Sequence, residues 1–303
     1  SCTSTDMKAL VLASYNATFV LRSSRHPAVG ETLRVNYMRI EHGGKGSNQA
    51  IGASRMGANT KIIASVGNDQ FGEMAIKRWR EEGIDVSGVK VTDGYTGYAF
   101  VFLMDDGNNY IYISPNANEK LDNELIMEKI HNTDFDLFMT VFEIEPRTAL
   151  AAARTASKRS LTVLNPAPAI YLKPEELDGI YAITPNESEI KIMAGLSPDS
   201  QADIATLAKN FSKHVKVVAV TLGERGVLVI ADGKERLIPA LNVNPVDTTG
   251  AGDAWNAAFS IFLAEGNDPF YSAEMANRAA AFLVSRKRGM PDLVDNLPYR
   301  SEI

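Results

Sequence analysis

The sequence predicts an α/β fold of three layers, with helices on both faces of a mostly parallel central sheet and a small second β-sheet set beside it as a lid. Two patterns predict this. Short, apolar, β-rich runs alternate with segments of helical spacing over most of the chain, as expected of strands buried on both faces under crossover helices. Two regions, residues 16–42 and 95–114, break that alternation and read as strands of a separate sheet. With 303 residues, 45% of them hydrophobic and 22% charged, the chain has the apolar content for one large core.

In chain order, "KALVLAS" (8–14) is the first buried strand, and the first lid segment follows it. "GSNQAIGASRMG" has helical spacing, "KIIASVG" (61–67) returns to a buried strand, and "FGEMAIKRWREEG" is again helical. "YTGYAFVFLMDDGNNYIYIS" (95–114) places two strand-like runs around the turn "DDGNN", a hairpin pattern. "DLFMTVF" (136–142), "SLTVLN" (160–165), "GIYAIT" (179–184) and "KVVAVT" (216–221) are further strands, with "RTALAAARTASKR" and "ADIATLAKNFSKH" as helices among them. No repeat, low-complexity tract or Pro-rich linker divides the chain, which points to a single domain over 7–303 rather than two tethered ones. Residues 1–6, "SCTSTD", are a polar leader, with Met7 as a candidate native start.

The formal net charge of −6 leaves no basic footprint for nucleic acid or an anionic membrane, so small or neutral partners are expected. Cys2 is the only cysteine, which rules out an internal disulfide or a cysteine metal site and fits a reducing cytoplasm. The leader has no apolar core and no apolar run approaches the length of a membrane span, so a cytoplasmic location is expected.

Three stretches carry candidate chemistry. In "GGKGSNQA" (43–50), glycines around Lys45 let the backbone approach a ligand at the head of a helix. The spacing is not that of a P-loop, and the octapeptide alone is equally a glycine-rich turn with Ser47 or Asn48 capping the helix. In "VDTTGAGDAWNAAF" (246–259) small residues close a turn, one carboxylate follows, and a buried helix continues. Amides of Ala251, Gly252 and Asp253 could cradle a transferring phosphoryl group while the Asp253 carboxylate accepts the proton of the attacking hydroxyl. The plainer alternative has Asp253 complementing the helix dipole. In "TPNESE" (184–189), Asn186 and Glu189 suit Mg²⁺ held through its water shell, but they also spell a capping box.

"GGKGSNQA", "NPAPA" (165–169), "TPNESE", "TLGERG" (221–226) and "VDTTGAGDAWNAAF" occur in the order and spacing of the ribokinase-like, or PfkB, carbohydrate kinases. The resemblance runs from about Leu10 to Pro291, and "GETLRVNYMRIEHGGKGSNQA" with "LNPAPA" is most similar to the ribokinase branch. It implies a ribokinase-like three-layer α/β/α fold whose lid closes over a furanose and pairs with a second subunit's lid as a homodimer. It also implies transfer of the γ-phosphoryl group of ATP to the primary hydroxyl of ribose or a related furanose. Asp253 would be the base, with Gly250, Ala251 and Gly252 completing the anion hole. Asn16, Thr18, Gly44, Lys45 and Asn48 would meet the sugar, with Glu143, or the nearby Glu145, beside them. Asn186, Thr221, Gly223 and Gly226 would line the ATP site, Asn277 the nucleoside, and Glu189 would act through Mg²⁺. A K⁺ site would draw on Asp247 and Thr249 in one loop and Leu283, Arg286, Arg288 and Asp292 in another.

Two departures bear on these expectations. Ribokinases usually read Asn-Ala-Asp where this chain has "NAT", Asn16 to Thr18. A carboxylate accepts two hydrogen bonds from a vicinal diol and a threonine hydroxyl is one neutral partner. Either the acceptor has fewer or differently placed hydroxyls than ribose, or the site compensates from elsewhere. Arg288 and Asp292 replace a glycine and a serine, so an ion pair between them could stand in for K⁺. Arg22, Arg25, Arg34 and Arg39 in the lid could greet an acidic substrate or form a solvated face. A nucleoside kinase, a kinase for a phosphosugar or a pyrimidine-type vitamin precursor, and an idle sugar-binding protein are the alternative functions.

Overall fold

The computed structural model describes residues 7–244, 248–286 and 292–303. The chain runs β1 (Lys8–Leu12), β2 (Asn16–Ser23), β3 (Tyr37–Gly43), α1 (Lys45–Arg55), β4 (Asn59–Gly67), α2 (Gln70–Glu81), β5 (Asp85–Thr92), β6 (Tyr98–Met104) and β7 (Asn109–Ser114). It continues through α3 (Asn123–Asn132), β8 (Leu137–Val141), α4 (Pro146–Ser157), β9 (Leu161–Asn165), β10 (Ala182–Ile183), α5 (Glu187–Met193), α6 (Ile204–Phe211) and β11 (Val217–Thr221). β12 (Val227–Ala231), β13 (Lys234–Ile238), α7 (Ala251–Ala264) and α8 (Pro269–Ser285) complete it, with short 3-10 turns between.

Nine strands form the main sheet in the order β13-β12-β11-β10-β9-β8-β1-β4-β5. It is parallel from β11 to β5, and β12 and β13 pair antiparallel at one edge. The period of two along β1 explains the layering. Ala9 and Val11 enter one core with Ile51, Trp79, Trp255 and Phe259 from α1, α2 and α7. Leu10 and Leu12 enter the other with Ile126, Ala153 and Phe211 from α3, α4 and α6. The second sheet has four strands, β3-β2-β6-β7, drawn from the two regions that broke the alternation. No described helix is long and apolar enough to cross a membrane.

The elements differ from the sequence reading in a few places. "GIYAIT" yields only the two-residue β10, because Gly179 turns at φ 93 just before it and Pro185 just after it has no amide to donate. β5 escaped notice because this edge strand is half-buried and polar and contains Gly88 beside a register shift. α1 starts at Lys45, so neither Ser47 nor Asn48 caps it. Its N-cap is Gly44 at φ 98, where a Cβ would stand 2.8 Å from Tyr15 Cα. Only glycine fits there, and the close approach fixes the head of α1 against the β1–β2 junction.

A buried ion cluster fastens the C-terminal segment to this frame. Arg55, at the end of α1, meets Glu82 through both Nε (3.1 Å) and Nη2 (2.8 Å) and donates to the Leu297 carbonyl at 2.8 Å. Arg78 joins Glu82 to Asp295. Leu293 of this segment packs against Gly250 at the head of α7. Arg55→Met should therefore lower the unfolding free energy by about 3 kcal/mol, since it strands buried polar partners. The check is a drop in the urea midpoint at unchanged m-value; an unchanged midpoint would mean that Arg78 alone holds the cluster.

Candidate active site

The parallel strands end at one edge of the sheet, where open α/β sheets bind ligands. α7 points its N-terminus at this edge. Gly250, its N-cap, is left-handed at φ 81, and a Cβ there would lie 2.7 Å from the Leu293 side chain. This turn brings Asp253 into the first helical turn, buried. The Ala251 amide donates to Thr248 O at 3.2 Å and the Asp253 amide to Gly250 O at 3.1 Å. The Gly252 amide has no hydrogen-bond partner among the described residues, and a Cβ on Gly252 would meet open space. Of the three amides named for an anion hole, Gly252 is thus the one with an unspent donor.

α1 supplies the partners of the carboxylate. Asn48 Nδ2 donates to Asp253 Oδ2 at 2.9 Å and Gln49 Nε2 to Oδ1 at 3.2 Å. Gln49 also donates to Asn165 Oδ1, and Asn165 donates to Thr184 O, so the ends of β9 and β10 are tied into the same network. Asn256, one turn along α7, accepts from Thr184 Oγ1 and donates to Gly252 O. Asn48 Oδ1 is buried with no hydrogen-bond partner among the described residues, an acceptor left open beside Asp253. Gln49 and Asn165 were not singled out from sequence although both lie in quoted motifs. Their amides, flanked by small residues, were the available signal.

A second carboxylate sits on the other side of the α1 head. Glu143 Oε1 accepts from the Lys45 amide at 2.6 Å and from Ser14 Oγ at 2.7 Å. Glu145 instead caps α4, accepting from the Arg147 and Thr148 amides. Asn16 begins β2 and its Oδ1 accepts from Asn118, which also holds both backbone groups of Tyr15. Nothing in the sequence flagged Asn118. Thr18 donates to Asn16 O at 3.2 Å. Arg22, Arg25 and Arg34 are exposed, whereas Arg39 is half-buried and paired with Glu41.

Electrostatics join these groups. The Asp253 carboxylate, and after it Glu143 and Glu189, hold the Lys45 ammonium above the ordinary lysine range despite its desolvation. Burial raises the Asp253 carboxyl above the usual carboxylate range, against the pull of Lys45 and then of Asn48 and Gln49. Burial also raises Glu143, opposed first by Lys45, and raises Glu189, opposed by the Asn186 amide and Lys45. One cation therefore acts on three acids, of which Asp253 is buried and Glu143 and Glu189 are half-buried.

At the head of α5, Asn186 and Glu189 form a capping box: Glu189 N donates to Asn186 Oδ1 and Asn186 N to Glu189 Oε1, both at 2.8 Å. The cap leaves Glu189 Oε2 and Asn186 Nδ2 without hydrogen-bond partners among the described residues. Asn186 bridges to Thr221 at the end of β11, followed by Gly223 and Gly226, both at positive φ. Asn277, expected at the nucleoside, makes contacts within the fold. Its Oδ1 accepts from Trp255 and its Nδ2 donates to Ile238 O and Pro239 O, so it ties α8 to α7 and to the end of β13.

Asp247 and Arg288, of the proposed K⁺ set, lie outside the described residues, as does Cys2. Thr249 precedes Gly250, Leu283 O accepts from the Arg286 amide at 3.3 Å, and Arg286 lies over the Phe282 ring. Asp292 Oδ1 accepts from the His42 amide at 2.9 Å, linking the C-terminal segment to the base of β3. No cluster of three or more His, Cys, Asp or Glu side chains suited to a metal occurs among the described residues.

A parallel α/β core, a sheet lid beside the strand ends and a buried aspartate at the head of a helix define the class: ribokinase-like phosphotransferases. Residues 7–295 match the profile of the pfkB family carbohydrate kinases, and the chain belongs to that family of ATP-dependent sugar kinases. It is 33% identical to a ribokinase of Haemophilus influenzae over 96% of this chain and 95% of that one. It is 32% identical to a deoxyribokinase of Salmonella typhi over 93% and 94%. The structure of Arabidopsis thaliana ribokinase complexed with ribose and ATP superposes with a TM-score of 0.85 at 27% identity, covering 98% and 97% of the two chains.

Proposed function

We propose that this kinase transfers the γ-phosphoryl group of ATP to the primary hydroxyl of ribose or a closely related furanose, with Asp253 as the base. The observation that carries the reading is Asn48. One end of its amide fixes Asp253 and the other is a buried acceptor with no partner among the described residues, so a hydroxyl donor fits beside the base. The 32–33% identity to a ribokinase and to a deoxyribokinase supports a pentose acceptor.

In this reading Asn48 and Gln49 hold the Asp253 carboxylate with its lone pairs directed at the acceptor hydroxyl, whose proton it takes. Phosphoryl transfer is loose, so most of the rate comes from positioning and from charge stabilisation rather than from early deprotonation. The Gly252 amide, the positive end of α7 and the Lys45 ammonium stabilise the negative oxygens of the transferring group. Lys45, Asn48 and Gly44 act from α1 on the sugar side, with Glu143 fixing the Lys45 backbone and Asn16 closing from the lid. Asn186 Nδ2 and the Thr221–Gly226 turn face the nucleotide.

Mg²⁺ suits the open Glu189 Oε2, because one carboxylate and the phosphates are ligands enough for an ion that keeps its waters. Bound there, it would neutralise phosphate charge. For K⁺, Thr249 and the carbonyls around Leu283 are the described donors, since Asp292 is engaged with His42. The lid supports a homodimer: Tyr110, Ile111, Tyr112 and Ile113 of β7 are exposed, a long apolar edge that a second lid would cover.

ADP release with Mg·ATP across ribose, 2-deoxyribose, other pentoses, hexoses and nucleosides tests the acceptor. Pentose turnover well above nucleoside turnover is expected, higher in K⁺ than in tetramethylammonium. Preferred turnover of a nucleoside would overturn the acceptor class, and equal rates in the two cations would remove K⁺ from the reading.

A further inference from the structure

We infer that Glu41 is a specificity-determining residue for the acceptor: from β3 it supplies the hydroxyl-binding carboxylate that Thr18 does not supply from β2. The inference rests on the kinase reading above and assigns a source for its recognition of a vicinal diol.

The register places the two residues together. β2 and β3 pair antiparallel with Asn16 opposite Gly43 and Thr18 opposite Glu41. Residues directly opposite one another project from the same face of a sheet with their Cβ atoms about 5 Å apart. A Cβ on Gly43 would come to 2.2 Å from Thr18 Oγ1, so Gly43 and Thr18 do share a face. That face carries Asn16, Thr18, Glu41 and Gly43. The opposite face carries Phe19, whose ring packs on Phe71 of α2, and His42, which bonds Tyr15. The carboxylate of Glu41 therefore belongs to the face of Asn16 and Thr18, one register step from the "GGKG" turn.

Burial marks the base of β3: Tyr37, Met38 and Ile40 are exposed, while Glu41 is 7% exposed, the same as Asp253, and His42 and Gly43 after it are buried too. Burying a carboxylate at the base of a lid is costly without charge-assisted partners. Arg39 is among its partners, donating from Nε to Oε2 at 3.3 Å. Two carboxylate oxygens offer about four lone-pair sites, so a carboxylate that already accepts from Arg39 and has other partners can still take a hydroxyl or exchange one of those contacts for it.

The neutrality of Thr18 follows from the same pairing. An aspartate at position 18 would stand directly opposite Glu41, and like charges across a strand pair destabilise it. One carboxylate per cross-strand pair is the stable arrangement, and here it is on β3.

The test compares wild type, Glu41→Gln, Thr18→Asp and the double variant Thr18→Asp/Glu41→Ala. ADP-release kinetics with ribose and with 2-deoxyribose are measured beside KM for ATP and thermal unfolding. Glu41→Gln should raise the KM for ribose by about tenfold or more, the loss expected of a charge-assisted hydrogen bond. The KM for 2-deoxyribose should rise less, and the KM for ATP should stay put. Thr18→Asp should destabilise the protein, and the double variant should restore both stability and the ribose KM. Glu41→Gln that melts lower yet keeps the ribose to 2-deoxyribose ratio assigns Glu41 to the lid's structure alone and overturns the inference. A double variant worse than either single one does the same. A wild type with no Asp253-dependent turnover of either sugar overturns the kinase reading itself, a result separable from any behaviour of Glu41.

Discussion

Asp253→Asn should lower kcat by about 10²- to 10⁴-fold, the range expected for loss of a positioned base, while the protein stays folded. Asparagine keeps the volume of the side chain but replaces one oxygen with a donor. In the native arrangement both oxygens accept, Oδ2 from Asn48 and Oδ1 from Gln49, so one of those amides would face another donor. That mismatch is offset by removal of a buried charge that burial already disfavours. The net change in stability should be small, within about 1 kcal/mol, as a hydrogen-bond exchange of this kind implies. The measurement is single-turnover phosphoryl transfer with saturating ATP and sugar, with melting temperature as the control. A kcat within tenfold of wild type in a folded variant would show that the hydroxyl loses its proton elsewhere, and would reduce Asp253 to a helix-dipole partner.

The layers of this fold were readable because the buried strands repeat with period two and the helices with a longer period, so β1 alone announces a core on each side. Part of what escaped was written in weaker signals, although the apolar β12 and the long α8 also went unread. β5 lies at an edge, half-solvated, and its alternation is diluted by Lys90, Ser87 and Gly88. β10 was overcalled because apolar composition does not report where a glycine turn and a proline cut a strand short. In the site, the residues of α1 and α7 were readable because each sits in a compact stretch whose glycines and single charge have few other uses. Asn118 was not, because its role is to hold Tyr15 from 103 residues away, and no local pattern encodes a partner that distant. For Asn277 the resemblance suggested a ligand contact, and its bonds with Trp255, Ile238 and Pro239 are further partners that only the packing of α7 against α8 reveals. In "TPNESE" the capping box forms, and it is the cap that fixes which oxygen of Glu189 is left over.

The network around Lys45 bears on how Asp253 would work as the proposed base. Burial favours the neutral form of the Asp253 carboxyl, and the Lys45 ammonium is the largest influence opposing it. In the proposed reaction the same ammonium also stabilises the negative oxygens of the transferring group, so one side chain would influence both the base and the field on that group.

Lys45→Met should accordingly do two separable things. Loss of the cation from the phosphoryl oxygens should lower kcat/KM by about 10²- to 10³-fold, the magnitude of deleting one preorganised electrostatic partner. Loss of its field at Asp253 should raise the carboxyl further, since the ammonium that pulled it down is gone. The base works ionised, so activity is present above its pKa and is lost as pH falls through it. Raising that pKa moves the acid limb of the kcat/KM profile to higher pH, and part of the lost activity should return on the alkaline side. The head of α1 should survive the substitution, because Glu143 accepts from the Lys45 backbone amide rather than from its ammonium. Lys45→Arg keeps the charge and should leave the acid limb close to wild type while misplacing the contact, so it loses rate without the pH shift. An acid limb that stays put in Lys45→Met, or moves to lower pH, would mean that Lys45 does not set the ionisation of Asp253, and its role would shrink to contact with the substrate.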